Sequence, residues 1–205
     1  NHLQVSSGGL DVSNADSIVL ISNASSTAQI LESMSGAFTG DFIVQRFISS
    51  RNANYSNMAS PISGATAADL DDDLTLSGLV GGSSGNALNN MGGTFFSMWF
   101  FSSATDVAVA ITNVNTPLQS GRGFEVFLDT VPFFNATTID YIGTPFSGPL
   151  SSTIAIDQGW NLVGNPYQSF IDLGEVDKGS LSDDYWIYNS TTGNYDFVLG
   201  SSNTP

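Results

Sequence analysis

The sequence predicts an all-β fold, and three observations support this. Short runs of alternating apolar residues recur along the chain, separated by Gly, Asn and Ser turn signals. No segment sustains the 3.6-residue apolar period of an ordinary helix. Hydrophobic residues make up 41% of the chain but charged residues only 11%, as is typical of turn-rich β modules. We expect a β-sandwich-like arrangement of two related half-units, residues 36–150 and 151–205, the second truncated, after an N-terminal β segment at 1–35.

The N-terminal segment contains short apolar pairs at close, regular spacing. The pairs are Leu3 and Val5, Leu10 and Val12, and Ile18 and Leu20. This spacing is typical of a short β-solenoid rung, in which successive strands stack on the next turn. It is equally typical of the first two strands of a sandwich, and both arrangements stay open at this point.

Two segments predict internal strands. Residues 36–49, around Phe42 and Val44, and residues 94–101, around Trp99, carry apolar side chains on both alternating faces, as expected of a strand buried on both sides. Within the first segment, Arg46 is expected to pair with an acid, since a buried Arg is rarely unpaired.

The remaining segments complete the predicted order of elements. Residues 63–92 read as a loop that holds one short helix candidate at 65–70. Further strands are expected at 107–111, 124–128, 133–142, 153–156, 185–188 and 195–199. The last two predict a hairpin whose turn contains Gly193 and Asn194.

A nine-residue motif, Gly-Trp-Asn-Leu-Val-Gly-Asn-Pro-Tyr at 159–167, stands out in the second half-unit. We expect Trp160 and Leu162 to fill a core and Pro166 to end a strand. The stretch 55–61, Tyr-Ser-Asn-Met-Ala-Ser-Pro, matches 160–166 in its aromatic and Pro positions. This internal match is the basis for proposing two related half-units.

The charge balance excludes several classes of partner. Four Lys and Arg against 19 Asp and Glu give a net charge of −15, which repels nucleic acid and anionic membranes. No apolar run approaches the length of a membrane span, so we expect no membrane insertion. The chain has no Cys, so its core must form without disulfides.

Catalysis is not expected from this set of residues. With a single His and no Cys, neither a Ser-His triad nor a His-based metal site is indicated. Glu32, Glu125 and Glu175 lie in no recognisable catalytic motif. We therefore predict a chain that is not an enzyme and needs no cofactor, with calcium as the one candidate ion.

Two groups of residues are candidates for binding. Calcium prefers several carboxylate and carbonyl oxygens, and the acidic run offers Asp69, Asp71, Asp72 and Asp73; a solvated acidic loop is the alternative. Exposed aromatic rings stack on sugars, and the candidates are Trp99, Tyr167, Tyr185 and Trp186. For these rings the alternative is ordinary core burial.

The order of several motifs resembles one known group of proteins. These motifs are Val-Gln-Arg-Phe-Ile at 44–48, Ser-Pro-Ile at 60–62, Leu-Gln-Ser-Gly-Arg-Gly-Phe at 118–124, the motif at 159–167, and Trp-Ile-Tyr-Asn-Ser-Thr-Thr-Gly-Asn-Tyr at 186–195. Together they are similar to β-rich modules of very large secreted proteins of the Bacteroidota. Such modules typically precede a sorting domain for the type IX secretion system. Gln45, Phe47 and Phe124 depart conservatively from the family's usual Glu, Tyr and Tyr.

The resemblance implies an extracellular or surface-attached location and a structural, adhesive or binding role. It also implies O-glycosylation at Asp-Ser/Thr-apolar triplets, which here are centred on Ser17 and Thr130. We expect a non-enzymatic structural or adhesive module that associates with itself or with other surface components. The alternative is a carbohydrate-binding module that recognises polysaccharide through exposed aromatic rings.

Overall fold

The chain folds as strands. The computed structural model describes residues 2–5, 8–14, 17–31, 38–82, 95–151, 159–179, 181–189 and 192–200, and the backbone alone at 129–134. In this part of the chain the regular elements are strands and one 3₁₀ helix (Ala67–Leu70), with no α-helix. The predicted all-β class is confirmed. The predicted strand at 153–156 lies outside the described residues.

The N-terminal strands stack in parallel. They are β1 (His2–Leu3), β2 (Leu10–Asp11), β3 (Ile18–Leu20), β4 (Gln29–Ile30), β5 (Phe38–Thr39) and β6 (Phe42–Ile48). Each of the first three pairs with the strand three places later, β1 with β4, β2 with β5 and β3 with β6, all in parallel. This is the stacking of a solenoid rung on the next, the first of the two N-terminal arrangements considered above.

Two larger sheets follow. Their strands are β7 (Arg51–Met58), β8 (Met98–Ser102), β9 (Val107–Ala110), β10 (Phe124–Phe134) and β11 (Thr137–Gly143). One sheet has the order β11-β6-β3, and the other has the order β7-β10-β8-β9 and is antiparallel throughout. β6 and β8 are therefore internal strands, as predicted.

The chain passes between the two sheets at two neighbouring corners. The segment predicted as one strand at 133–142 is divided, because β10 ends at Phe134 and β11 begins at Thr137. β10 pairs with β7 in one sheet, whereas β11 pairs with β6 in the other. The two paired segments thus leave one sheet and enter the other at residues 49–50 and 135–136, as strands do when two sheets share a corner.

One cluster of buried apolar side chains draws members from both sheets. From the three-stranded sheet come Phe42, Val44, Ile48, Ile139 and Tyr141, and from the four-stranded sheet Met98, Phe124, Val126 and Leu128. The described part of the predicted loop also contributes, through Leu70, Leu74, Leu76 and Leu79. This segment is irregular but anchored in the core, and its 3₁₀ helix lies within the helix candidate at 65–70.

Arg46 does not form the predicted ion pair. Its guanidinium donates to the carbonyl oxygen of Gln45 at 3.0 Å and lies near Tyr141, and it makes no salt bridge with a described carboxylate. Burial lowers the pKa of Arg46 and raises that of Tyr141. The group stays charged because an Arg pKa lies far above neutral pH, and the Gln45 carbonyl takes the place of the expected acid.

Trp160 is not a core residue, so that prediction is wrong. Its side chain is 52% exposed. The motif instead docks through its middle: the Gly123 N–H donates to the Leu162 carbonyl at 3.0 Å and the Gly164 N–H to the Gly121 carbonyl at 3.0 Å. Pro166 is buried. Pairing with residues 121–123 holds the motif in place and leaves its Trp outside.

Gly164 is required where the two matched stretches meet. A Cβ at this position would overlap the Cβ of Ala59 and approach the Cα of Gly123. We expect Gly164→Ala to lower the free energy of unfolding by roughly 1–3 kcal/mol, the usual cost of overpacking. Urea denaturation of the full chain measures this. Gly164 is not among the glycines with positive φ, so backbone strain adds nothing to the loss, and an unchanged free energy of unfolding in Gly164→Ala would contradict the proposed close contact.

Candidate functional site

Among the described residues, the C-terminal hairpin presents the largest group of exposed rings. Its strands β12 (Tyr185–Asn189) and β13 (Asn194–Val198) pair antiparallel, as predicted, and form a two-stranded sheet of their own. Trp186 lies opposite Phe197, and Tyr188 opposite Tyr195. Because side chains alternate along a strand, these four rings share one face.

The rings form a strip that continues onto the motif at 159–167. The ring centroids of Trp160 and Trp186 are 4.5 Å apart in an edge-to-face contact, and those of Trp186 and Phe197 are 4.7 Å apart. Tyr188 and Tyr195 follow at 5.1 Å. We call Trp160, Trp186, Phe197, Tyr188 and Tyr195 the aromatic strip.

The strip is open to solvent. Trp160 is 52% exposed, Trp186 43%, Phe197 49% and Tyr195 54%. Aromatic side chains bury about 150–250 Å² each in a contact, and a contiguous apolar surface on a soluble protein usually marks a contact site. The arrangement suits stacking on a flat or apolar partner.

Acidic groups flank the strip at both ends. The backbone N–H of Trp160 donates to the Asp106 carboxylate at 3.3 Å. At the other end, burial raises the pKa of Tyr188, and the nearby Tyr195 and Glu125 raise it further. Lys178 precedes the hairpin in sequence, and its ammonium group is paired with the Asp183 carboxylate at 3.3 Å. This environment favours a neutral or cationic partner over an anionic one.

The four predicted sugar-stacking residues do not lie together. Trp186 belongs to the strip, and Tyr185 lies on the opposite face of the hairpin, across from Val198. Trp99 is half-buried, and its indole N–H donates to the Phe96 carbonyl at 3.0 Å. Tyr167 packs edge-to-face on Phe146, and its hydroxyl donates to the Gly148 carbonyl at 2.9 Å.

The predicted calcium residues have separate structural tasks. Asp69 accepts from the Thr66 N–H at 2.8 Å and closes a capping box on the 3₁₀ helix. Asp73 accepts from the Asp140 N–H at 2.8 Å, and burial raises the Asp73 pKa. Asp69 and Asp72 line a pocket of about 240 Å³ together with Asp140, and Asp71 lies beside Gly82 instead. Within the described ranges, no group of three or more His, Cys, Asp or Glu is arranged to hold a metal.

The glycosylation candidates lie at different kinds of position. Ser17 is exposed and immediately precedes β3. Thr130 falls within β10, and its side chain lies outside the described part of the structure. Glycosylation at both residues stays a prediction.

Glu125 is a half-buried carboxyl on β10 of the four-stranded sheet and lies near Tyr188 of the hairpin. It lies opposite Asn57 on one neighbouring strand and opposite Trp99 on the other. Burial raises its pKa above the ordinary value. The folded state therefore binds this proton more tightly than the unfolded chain does, so this group destabilises the fold as pH rises from the unfolded to the folded pKa.

At pH values above the folded pKa of Glu125, we expect Glu125→Gln to have a higher free energy of unfolding than the parent protein. At pH values below the unfolded pKa of Glu, where the parent carboxyl is already neutral in both states, the gain should be smaller. Urea denaturation of both proteins at about pH 3.5 and pH 7.5 measures the difference. A gain that is the same at both pH values would contradict the raised pKa.

Sequence reasoning missed four of the five strip residues. The pairing of Trp186 with Phe197 and of Tyr188 with Tyr195 could have been found by writing the predicted hairpin in register around its turn. Trp160 had no such signal, because nothing in its local pattern separates a core Trp from an exposed one.

Comparison with protein-family models, curated proteins and solved structures gives no significant match to this chain. In the part of the chain that the structure describes, no helix is long and apolar enough to cross a membrane.

Proposed function

We propose that this chain is a non-enzymatic extracellular module with a structural or adhesive role, and that the aromatic strip is its contact surface. The observation that carries this proposal is the run of solvent-exposed rings from Trp160 to Tyr195. Full burial of a large apolar side chain stabilises a complex by about 1.5–3 kcal/mol. Several half-exposed rings on one face therefore suffice for a useful contact.

The surroundings of the strip support contact rather than catalysis. The strip contains no nucleophile in contact with a base. Its hydroxyl groups are the phenols of Tyr188 and Tyr195. Two features support the extracellular location. Only 11% of the residues are charged, and the motif order resembles that of secreted Bacteroidota modules. The net charge of −15 supports contact with neutral or apolar surfaces.

Binding to surfaces of defined chemistry tests this proposal. The full chain is passed over sensors coated with an alkyl layer, with neutral polysaccharide and with anionic polysaccharide. We expect reversible retention on the first two and much weaker retention on the third. Absence of retention on every surface, or strongest retention on the anionic one, would refute the proposed role of the strip.

The second candidate function is carbohydrate binding through the same strip. Edge-to-face Trp rings at 4.5 Å offer apolar faces against which the C–H groups of a pyranose can pack. Asp106 and Glu125 beside the rings supply acceptors for hydroxyl groups. This function predicts retention on neutral polysaccharide alone, competed by free oligosaccharide; retention on the alkyl layer that free sugar does not compete favours the structural or adhesive role.

A further inference from the structure

β9 is the outer strand of the four-stranded sheet. It pairs with β8 on one side, and no other described strand pairs with its second side. Val107 is 52% exposed and Val109 48% exposed. The edge and the side chains that flank it are therefore open within the described structure.

The hydrogen-bond pattern shows which backbone groups face outward. The Ile111 N–H donates to the Met98 carbonyl on β8 at 2.9 Å, so the backbone N–H and C=O groups of odd-numbered residues in this register face β8. The Thr112 carbonyl accepts from the Val80 N–H at 2.8 Å on the other side, so the backbone groups of even-numbered residues face away from β8. The N–H and C=O groups of Ala108 and Ala110 consequently face the open edge, and no described group bonds to them.

Among the described residues, this edge lacks the protection that natural edge strands usually carry. Exposed edges are commonly blunted by charged side chains, Pro, bulges or a covering segment. Residues 107–111 read Val-Ala-Val-Ala-Ile, with no charge and no Pro, and the β8–β9 register is regular. Val80 bonds to Thr112 and Val114, which follow the C-terminal end of β9.

We propose that β9 pairs antiparallel with β9 of a second copy of this chain, around a two-fold axis at Ala108. Both Ala108 residues then exchange N–H to C=O hydrogen bonds, and Val107 lies opposite the partner's Val109. The same strand is complementary to itself, as a closed two-fold interface requires. This register also keeps the partner strand clear of Val80.

Electrostatics permit this pairing despite the net charge of −15. Asp106 is the charged residue next to the edge; its backbone is left-handed, with φ of 55°, and its carboxylate accepts from the Trp160 backbone N–H. At about 3.4 Å per residue, the two Asp106 residues of such a pair lie roughly 14 Å apart, beyond the Debye length of about 8 Å at physiological salt. The paired segment itself brings no like charges together.

Ala108→Pro tests the pairing with little disturbance of β8. It removes an outward N–H, and an edge strand tolerates Pro where that group faces solvent. We expect sedimentation velocity to show a concentration-dependent dimer of the parent chain and a dimer at least about tenfold weaker for Ala108→Pro, a difference of roughly 1.4 kcal/mol. Amide exchange at Ala108 should slow as the parent concentration rises.

A charge variant keeps the test decisive if Ala108→Pro fails to fold. Val109→Glu places like charges near the two-fold axis and should weaken the dimer similarly. Val163→Glu adds the same charge at a 57% exposed Val that pairs with Arg122 rather than with β9 and should leave the dimer unchanged. A parent chain that stays monomeric at high concentration, or edge variants that dimerise as tightly as the parent, would overturn the inference.

The edge and the aromatic strip are distinguishable by these experiments. The pairing goes beyond the proposed function: it uses the backbone edge of β9, which borders the strip where the Asp106 carboxylate accepts from the Trp160 backbone N–H. Loss of dimerisation in Ala108→Pro with unchanged retention on coated sensors supports the edge. Loss of retention without loss of the dimer concerns the strip alone.

Discussion

Phe124→Ala is expected to lower the free energy of unfolding by about 3–5 kcal/mol, the usual cost of deleting a buried aromatic ring. Phe124 is fully buried and lies on β10, between Met58 of β7 and Phe100 of β8. Such a loss is a large share of the roughly 5–15 kcal/mol that stabilises an ordinary domain. Urea denaturation followed by far-ultraviolet circular dichroism and by Trp fluorescence measures it.

The control for this prediction is Phe170→Ala. Phe170 is 84% exposed, so its removal should change stability by no more than about 0.5 kcal/mol. A Phe124→Ala loss similar to that of Phe170→Ala would show that β10 does not organise the core. A transition that separates into two steps would show that the two sheets unfold independently.

Trp186→Ala is expected to weaken retention on the coated sensors by at least about tenfold, because central aromatic residues commonly contribute 2 kcal/mol or more to a contact. Trp186 lies between Trp160 and Phe197 and touches both rings. Its removal therefore takes away one ring and loosens two others. Because Trp186 is 43% exposed, the fold should lose much less stability than in Phe124→Ala.

Phe170→Ala serves as the matched control for binding as well. It deletes an aromatic ring that is more exposed than any in the strip but lies outside it. Retention should stay near the parent value. An equal loss of retention in both variants would mean that exposed apolar area in general, rather than the strip, drives binding.

Much of the fold was predictable from alternation and turn chemistry. The internal positions of β6 and β8 followed from apolar residues on both faces, and the hairpin of β12 and β13 from the turn signal at Gly193 and Asn194, although Asn194 is the first residue of β13. These features depend on local periodicity, which sequence records directly. The parallel stacking of β1 to β6 was one of two arrangements compatible with the spacing, since strand spacing does not specify the partner strand.

Other features depend on contacts distant in sequence. The corner at residues 135–136 was not predicted, because an alternating pattern runs through it and does not show that β10 and β11 belong to different sheets. Arg46 was expected to find an acid but donates to the Gln45 carbonyl beside Tyr141. Trp160 was assigned to the core because aromatic residues usually are, yet the pairing of residues 162–164 with 121–123 leaves it outside.

Hydroxyl-radical footprinting of the full chain, free and bound to the surface that retains it, tests whether the aromatic strip is the contact surface. Trp160, Trp186 and Tyr195 are exposed in the free chain and should all be oxidised there. We predict that binding protects these three residues and leaves Phe170 and Val163 as reactive as before. Unchanged oxidation of Trp160 and Trp186 in the bound state, with protection elsewhere, would contradict the assignment of the aromatic strip as the contact surface.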